Sequence, residues 1–285
     1  MRQLDRQKQL ARFEMVKWMM LWQHFLVLSP SYELARRFRA GDLDGSESLP
    51  SDFDNVLAVY DDLGEAKFSQ FGDWWMRNRY RNFGFAGDKV PSITRLGVVS
   101  DKDATDLGQA AADYINGDWS EQGQPAAIIA AIPAGLAKAQ VMRQLSALLD
   151  ELPKTANSRQ HDANAKYALF GAKLHRDSVK RYRDVLGVRA RHPKATLWQV
   201  GAMARFSRQY RGIRSSKDGT FEDRKNLKEL TSRALNRGRM IAENAARGIF
   251  PSYVKCEHAL PMDYPHIERL RLEAMAARLA RREPV

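Results

Sequence analysis

The N-terminal residues carry the pattern that most restricts the fold. Between residues 3 and 28, apolar side chains recur at the three- and four-residue spacing of an α-helix, which predicts one long helix after a charged first turn. The apolar members are Leu10, Phe13, Met15, Trp18, Met19, Trp22, Phe25 and Leu26. Because the stripe they form is unusually wide, either the rest of the chain or a second protein has to cover it.

This helix is not expected to cross a membrane. Its most apolar run, residues 15–28, contains Lys17, Gln23 and His24, whereas a spanning helix needs about 20 apolar residues. No small-residue cleavage site follows the run, so a secretory signal peptide is not predicted either. The single cysteine, Cys256, cannot form an intramolecular disulfide, which excludes a disulfide-stapled secreted scaffold. We therefore expect a cytoplasmic protein.

Helical patterns dominate the rest of the chain as well, and the predicted fold class is mainly α with a small α/β segment. Ser29 caps a second helix that begins at Pro30 and that Gly41 ends. Residues 1–85 are therefore predicted to form a helical N-terminal scaffold. The remaining helices predicted outside the central segment cover residues 50–63, 73–82, 177–188, 196–206, 222–247 and 263–282.

The central segment has a different pattern. Two short apolar runs bounded by Pro, Gly and Asp, residues 93–99 and 126–132, predict buried strands. The stretches that follow them, residues 105–115 and 135–152, predict helices. If the strands lie adjacent and parallel, they form a small right-handed β/α crossover unit of two strands, to which residues 167–174 could add a third.

Charge is distributed unevenly along the chain, which carries a net +12. Residues 1–150 hold 17 basic and 20 acidic side chains, a net charge of −3, and residues 151–285 hold 29 and 14, a net charge of +15. Such asymmetry is typical of proteins that contact nucleic acid or a membrane surface. The alternative is a helical domain that carries arginine on its solvated faces.

A polar stretch marks the predicted domain boundary. Residues 155–164 are poor in apolar side chains and form the best linker in the chain. We therefore predict an aromatic-rich helical and small α/β region over residues 1–153, a linker over residues 154–164, and a basic helical domain over residues 165–285.

Aromatic side chains crowd one part of the N-terminal scaffold, namely Phe68, Phe71, Trp74 and Trp75. They could form a platform on which bases stack. The interpretation as a core shared with the N-terminal helix is favoured, because aromatic side chains at helical spacing in a slightly acidic region are most often buried.

One local pattern resembles the first half of a helix-turn-helix unit. Thr196 is a plausible N-cap, and Val200 followed by Gly201 is the apolar and small pair that a steep helix crossing needs. The continuation fits less well, because Arg211 stands where a buried aliphatic side chain is expected and Gly212 interrupts the second helix. The alternative is an ordinary amphipathic helix followed by a loop.

Basic side chains surround this pattern. A run of 13 residues without an acid contains Arg205, Arg208, Gln209, Arg211, Arg214 and Lys217. Lysine and arginine neutralise phosphates, and glutamine can bond phosphate oxygens or base edges. On the next helix, Arg233, Arg237 and Arg247 lie near one face, where they either extend the basic surface or form salt bridges with acids of the fold.

Signatures of catalysis are mostly missing. The spacing of Cys256, His258 and His266 matches no usual zinc site, and we predict no metal and no cofactor. The acids of residues 101–113 could hold a divalent ion in a nuclease-like site, but Asp106 stands where a helix begins, and capping is the commoner role there. No Gly-x-Ser-x-Gly motif occurs. The chain is therefore not predicted to be an enzyme.

Three short stretches together resemble uncharacterised bacterial proteins associated with mobile elements and phages. They are residues 29–35 (SPSYELA), 71–75 (FGDWW) and 196–200 (TLWQV). The resemblance spans most of the chain. It identifies no family, transfers no functional residue, and implies only a bacterial or phage origin.

Taken together, the charge asymmetry and the basic run predict a nucleic-acid-binding protein that uses its C-terminal half, with DNA favoured over RNA. The first alternative is a non-enzymatic assembly subunit, in which the apolar face of residues 10–28 docks another protein. The second is a divergent metal-dependent nuclease that uses the acids of residues 101–113.

Overall fold

The computed structural model describes residues 2–68, 70–85, 92–98, 106–124, 127–151, 165–170, 174–213, 215 and 217–280, and within its first helix the side chains from Phe13 onward. In this part of the chain the fold is mainly helical, as the sequence predicts. The helices are α1 (Arg2–Leu28), α2 (Pro30–Ala40), α3 (Phe53–Leu63), α4 (Phe71–Asn78), α5 (Leu107–Tyr114), α6 (Lys138–Asp150), α7 (Arg176–Arg191), α8 (Leu197–Met203), α9 (Phe221–Ala245) and α10 (Tyr264–Ala280). None of these described helices is both long and apolar enough to span a membrane.

Local sequence signals account for several helix ends. The Ser29 hydroxyl accepts a hydrogen bond from the Tyr32 N–H at 3.2 Å and so caps α2. Gly41 ends the same helix in the left-handed conformation, with φ of +74°. The Asp106 carboxylate accepts from the Gln109 N–H at 3.0 Å at the start of α5. The capping roles predicted for Ser29, Gly41 and Asp106 are thus confirmed.

Two compact units make up the chain. Unit 1 contains Met1–Arg77 and Tyr167–Val285, and unit 2 contains Asn78–Lys166. Within unit 1, α9 packs against α1, α2, α7 and α8, and α10 packs against α7. The predicted linker, residues 154–164, lies outside the described residues, and the domain boundaries therefore stay a prediction.

Most of the apolar face of α1 is covered within unit 1. Trp22 and Phe25 are fully buried, and the Trp22 ring stacks on Phe250 at a centroid distance of 5.2 Å. Trp74 is also fully buried, so the core interpretation of the aromatic residues holds for that side chain. Three described apolar side chains of α1 stay exposed, namely Phe13 at 58%, Met15 at 36% and Met20 at 37%.

A buried carboxylate joins the first two helices to α9. Glu243 has no exposed surface, and its two oxygens accept from the hydroxyls of Ser29 at 2.6 Å and Ser31 at 2.5 Å. The N–H of Leu260 at 3.1 Å and Arg247 Nη1 at 3.2 Å add two further donors. Because a buried charge is tolerated only where it is fully paired, this network fixes how α1 and α2 meet α9.

The predicted β/α unit is not formed by the described residues. Residues 93–98 and 127–132 are irregular, and Ile93 and Ile129 are 101% and 65% exposed. A strand exists only where a neighbouring strand accepts its hydrogen bonds, and among the described residues neither stretch pairs with one. The helices predicted beside them are present as α5 and α6. Of the third predicted strand, Leu169 makes one isolated bridge to Phe250.

Candidate nucleic-acid interface

The loop between α8 and α9, residues 204–220, is called the basic loop below. Two of its apolar side chains are buried: Tyr210 and Ile213 pack on Leu227 of α9. Trp198, Ala202 and Leu230 surround this small core. Because the apolar side chains turn inward, the polar ones between them are left on the surface, and Arg208, Gln209 and Arg211 are all exposed.

A tight helix crossing sets the position of the basic loop. Val200 is fully buried, and a Cβ atom on Gly201 would lie 2.1 Å from Thr231 Oγ1 and 3.0 Å from a Leu227 methyl. The close approach predicted at Val200 and Gly201 therefore exists, but its partner is α9. Residues 204–213 contain no second helix, so the described residues do not show the second half of the predicted helix-turn-helix. Gly212 and the burial of Tyr210 and Ile213 favour a compact loop instead.

The C-terminus of α8 places Arg205 in an uncommon conformation. The Arg205 N–H donates to the Ala202 carbonyl at 3.0 Å and the Phe206 N–H to the Gly201 carbonyl at 3.1 Å, which is the Schellman arrangement of helix ends. Arg205 occupies its left-handed position, with φ of +46°. Glycine is the usual residue there, because a side chain at positive φ is strained. The chain nonetheless places an exposed arginine at this corner.

Four cations of the basic loop have no carboxylate partner among the described residues. Among the described residues, Arg205, Arg208, Arg211 and Lys217 form no ion pair. Arg214, the remaining predicted contact of the loop, lies outside the described residues. The arginines of α2 differ, since they pair with acids: Arg36 with Glu33, Arg37 with Glu47, and Arg39 with Asp61. The positive charge of the basic loop is therefore not neutralised within the described chain.

Gln209 borders an open cleft of about 430 Å³ on one side of the basic loop. Asp218 and Asp223 also line it. Asp218 accepts a hydrogen bond from the Ser215 N–H at 2.7 Å, and Asp223 accepts from the Thr220 N–H at 2.9 Å at the start of α9. These two carboxylates thus organise the end of the loop.

A tyrosine of α7 connects the basic loop to α9. The Tyr182 ring lies 6.0 Å from the Phe206 ring, and its hydroxyl accepts a hydrogen bond from Arg237 Nη1 at 3.0 Å. Arg237 also lies over the Tyr253 ring, with Cζ 4.9 Å from the ring centroid. Arg237 is exposed and, among the described side chains, has no carboxylate partner. No local sequence pattern indicates Tyr182, Phe206 or Tyr253 as partners of Arg237, because each lies far from it along the chain.

The other two arginines predicted on α9 are paired with acids. Arg233 Nη2 lies 3.3 Å from Glu229 Oε2, and both side chains are more than half exposed. Arg247 has only 8% of its side chain exposed, and its Nε and Nη2 bond the two oxygens of Asp52 at 2.6 and 2.9 Å. Its other N–H groups bond Glu243 and the His258 carbonyl.

Arg247 therefore uses all five of its donors within the fold. By hydrogen bonding, it also holds the pKa of Asp52 below its ordinary value. Because its guanidinium is fully bonded within the fold, Arg247 is left out of the candidate interface.

Several described side chains are of types that can bind a metal ion or take part in catalysis. No group of three or more His, Cys, Asp or Glu side chains among them is arranged to hold a metal ion. Burial raises the pKa of the Cys256 thiol, which lowers its reactivity. Ser51 Oγ lies 2.8 Å from His258 Nδ1 on the surface. Both carboxylate oxygens of the neighbouring Asp52 accept hydrogen bonds from Arg247. Asp106 serves as a cap, and Asp101 and Asp103 lie outside the described residues.

Comparison of the chain with models of known protein families, with curated proteins and with solved structures yields no match.

Proposed function

We propose that this protein binds nucleic acid, with DNA favoured over RNA, through a surface formed by the basic loop and Arg237. The observation that carries the proposal is the absence of neutralising acids: Arg208, Arg211 and Arg237 are exposed without a carboxylate partner in the described chain. Elsewhere, Arg39 and Arg271 pair with Asp61 and Glu268. Cations left unpaired on one surface are what a polyanion needs, because each phosphate contact releases a condensed counterion.

The connection through Tyr182 supports a single surface. Its ring contacts Phe206 in the basic loop, and its hydroxyl holds Arg237. Phe206 and Arg237, which are about 30 positions apart in the sequence, therefore both contact one residue of α7. Gln209, which is exposed beside Arg208, can donate to phosphate oxygens or base edges. DNA is favoured over RNA on the sequence pattern alone, in which Val200 and Gly201 are the apolar and small pair of a helix-turn-helix first helix.

A salt titration with matched variants tests the proposal. Arg208→Gln combined with Arg211→Gln removes two unpaired charges, and Arg39→Gln combined with Arg271→Gln removes two that are already paired. Binding of a labelled DNA fragment is measured by fluorescence polarisation across salt concentrations. The first pair should weaken binding and reduce the slope of log affinity against log salt by about two, and the control pair should keep the slope of the unchanged protein. Equal slopes for all three proteins would refute the proposal.

A second candidate, an assembly subunit, is favoured by one observation. Phe13, Met15 and Met20 on α1 are 58%, 36% and 37% exposed, and they are the part of the predicted docking face that unit 1 leaves open. Sedimentation of the pure protein with and without DNA separates the candidates. A stable oligomer without affinity for DNA or RNA at low salt would support the subunit.

A further inference from the structure

The proposed surface contains an aromatic side chain that phosphate binding does not require. Tyr253 is 40% exposed, and the Arg237 guanidinium lies over its ring at 4.9 Å. Burial of a tyrosine ring is energetically favourable. A ring that stays 40% exposed therefore offers apolar surface to a ligand. Ile249 and Val254, which lie near Tyr253 in the sequence, are 40% and 66% exposed as well.

The backbone on both sides of Tyr253 is fixed to α9. The Asn244 side-chain amide donates to the Ser252 carbonyl at 3.0 Å and to the Val254 carbonyl at 2.8 Å. Asn244 itself is 6% exposed. The two bonds lie on either side of Tyr253, and they hold its backbone in place before any ligand binds. A contact surface that is already ordered loses little conformational entropy on binding.

The Arg237 side chain is also held in place by a hydrogen bond. One of its five N–H groups donates to the Tyr182 hydroxyl, and Tyr182 is 6% exposed. The remaining donors are not taken by any carboxylate of the described residues. A guanidinium plane next to an aromatic ring is the combination on which unstacked bases are bound, because both present flat π-surfaces and the cation adds an electrostatic attraction.

The absence of a second helix in residues 204–213 bears on the form of the nucleic acid. Duplex DNA is read by a helix-turn-helix protein through the helix that enters the major groove, and these described residues form a compact loop instead. In a duplex the faces of the bases are covered by their neighbours. A base can stack on Tyr253 only where it is unpaired or at an end.

We propose that Tyr253 and Arg237 form a stacking site for an unpaired nucleobase, and that the ligand of this surface is a single strand or a duplex interrupted by an unpaired nucleotide. This inference rests on the proposed function. The basic loop binds the sugar-phosphate backbone, and the Tyr253 ring binds the base of a nucleotide that the loop brings within reach.

The test combines removal of the ring with removal of the base. Three 20-nucleotide probes are used: a thymine single strand, the same strand with abasic sites in place of its bases, and a duplex of the same length. Tyr253→Leu removes the π-surface but keeps apolar bulk, and Tyr253→Phe is the matched control. Arg237→Lys keeps the charge and removes the plane. Circular dichroism and thermal unfolding of each variant establish that it is folded.

We expect the unchanged protein and Tyr253→Phe to bind the thymine strand about tenfold more tightly than the abasic strand, a factor within the range found for one stacked base. Tyr253→Leu should lose this difference while its duplex affinity changes less than twofold. Arg237→Lys should show a reduced difference. Because the abasic strand keeps every phosphate, the comparison isolates stacking from charge.

Three results would overturn the inference. If the unchanged protein binds both strands equally, or if Tyr253→Leu still prefers the thymine strand tenfold, Tyr253 is not a stacking site even though the protein binds DNA. If the unchanged protein binds none of the three probes at low salt, the proposed function itself fails, and the inference fails with it.

Discussion

Gly201 and Thr231 touch where α8 crosses α9, so closely that a Cβ atom on the glycine would lie 2.1 Å from the threonine hydroxyl oxygen. Thr231 is itself fully buried, and its hydroxyl donates to the Leu227 carbonyl at 2.7 Å. The threonine therefore has little freedom to move away. This contact holds the start of the basic loop at a fixed distance from α9.

Gly201→Ala should destabilise the protein. The added methyl group meets Thr231 and a Leu227 methyl, and overpacking of a buried contact costs about 1–3 kcal/mol of unfolding free energy. Gly187→Ala in α7 is the matched control, since its Cβ would meet nothing within 4 Å and alanine is favoured in a helix by about 0.5–1 kcal/mol. Urea unfolding followed by circular dichroism measures both. Equal or higher stability of Gly201→Ala would contradict the tight crossing.

Glu243→Gln should destabilise the protein far more than Glu229→Gln, although both lie on α9. The Glu243 carboxylate accepts from Ser29, Ser31, Leu260 and Arg247 with no exposed surface. An amide there replaces an acceptor oxygen by an N–H donor, so buried donors of this network lose their acceptor, at a cost of about 3 kcal/mol. Glu229 pairs only with Arg233 on the surface, where the loss is below about 1 kcal/mol. Chemical denaturation compares the two, and similar losses would argue against a buried network.

Arg205→Gly should raise stability and lower DNA affinity at the same time. Glycine relieves the positive φ at the end of α8, a gain of about 1 kcal/mol in unfolding free energy, while the loss of the charge reduces the salt slope of binding by about one. Arg205→Ala is the control that separates the effects, because it removes the charge but keeps the strained backbone. Both variants should lose the same affinity, and only the glycine should gain stability. If Arg205→Gly binds DNA as tightly as the unchanged protein, Arg205 is not part of the binding surface.

The stability of the fold should fall below about pH 6.5 because of His24. Burial, together with the positive charges of Arg183 and Arg278, lowers the pKa of His24 to about 4, and Arg183 Nη1 lies 2.9 Å from its Nδ1. Between pH 6.5 and 4 the unfolded chain binds a proton that the folded chain does not. The unfolding free energy therefore decreases as the pH falls through this window, by up to about 3 kcal/mol.

Above this window both states hold His24 neutral, and the residue contributes no pH dependence. Unfolding free energies of the unchanged protein and of His24→Gln, measured from pH 4 to pH 8, test this. The variant should have the flatter curve between pH 4 and 6.5. Parallel curves would mean that His24 titrates alike in the folded and unfolded chains.

The helices were predictable because their signals are local. The Ser29 cap with Pro30, the Gly41 end, and the apolar spacing of α1 all act between residues three or four positions apart, and the structure places these ends close to where the sequence predicts them. The strands over residues 93–99 and 126–132 were predicted from equally short runs, but a strand depends on a partner strand that such a run does not specify. The described parts of both runs lack one.

By itself, the sequence determined the helical class, the ends of several helices and the location of the excess positive charge in the C-terminal half. Only the tertiary structure decided which of those charges remain available. Arg247 and Arg237 both lie on α9 and look alike in the sequence, yet Arg247 bonds Asp52, which is 195 positions away, while Arg237 meets Tyr182 and Tyr253. The reason is physical: a cap or an apolar stripe depends on neighbours in the chain, whereas the availability of a guanidinium depends on whether folding brings a carboxylate within hydrogen-bonding distance.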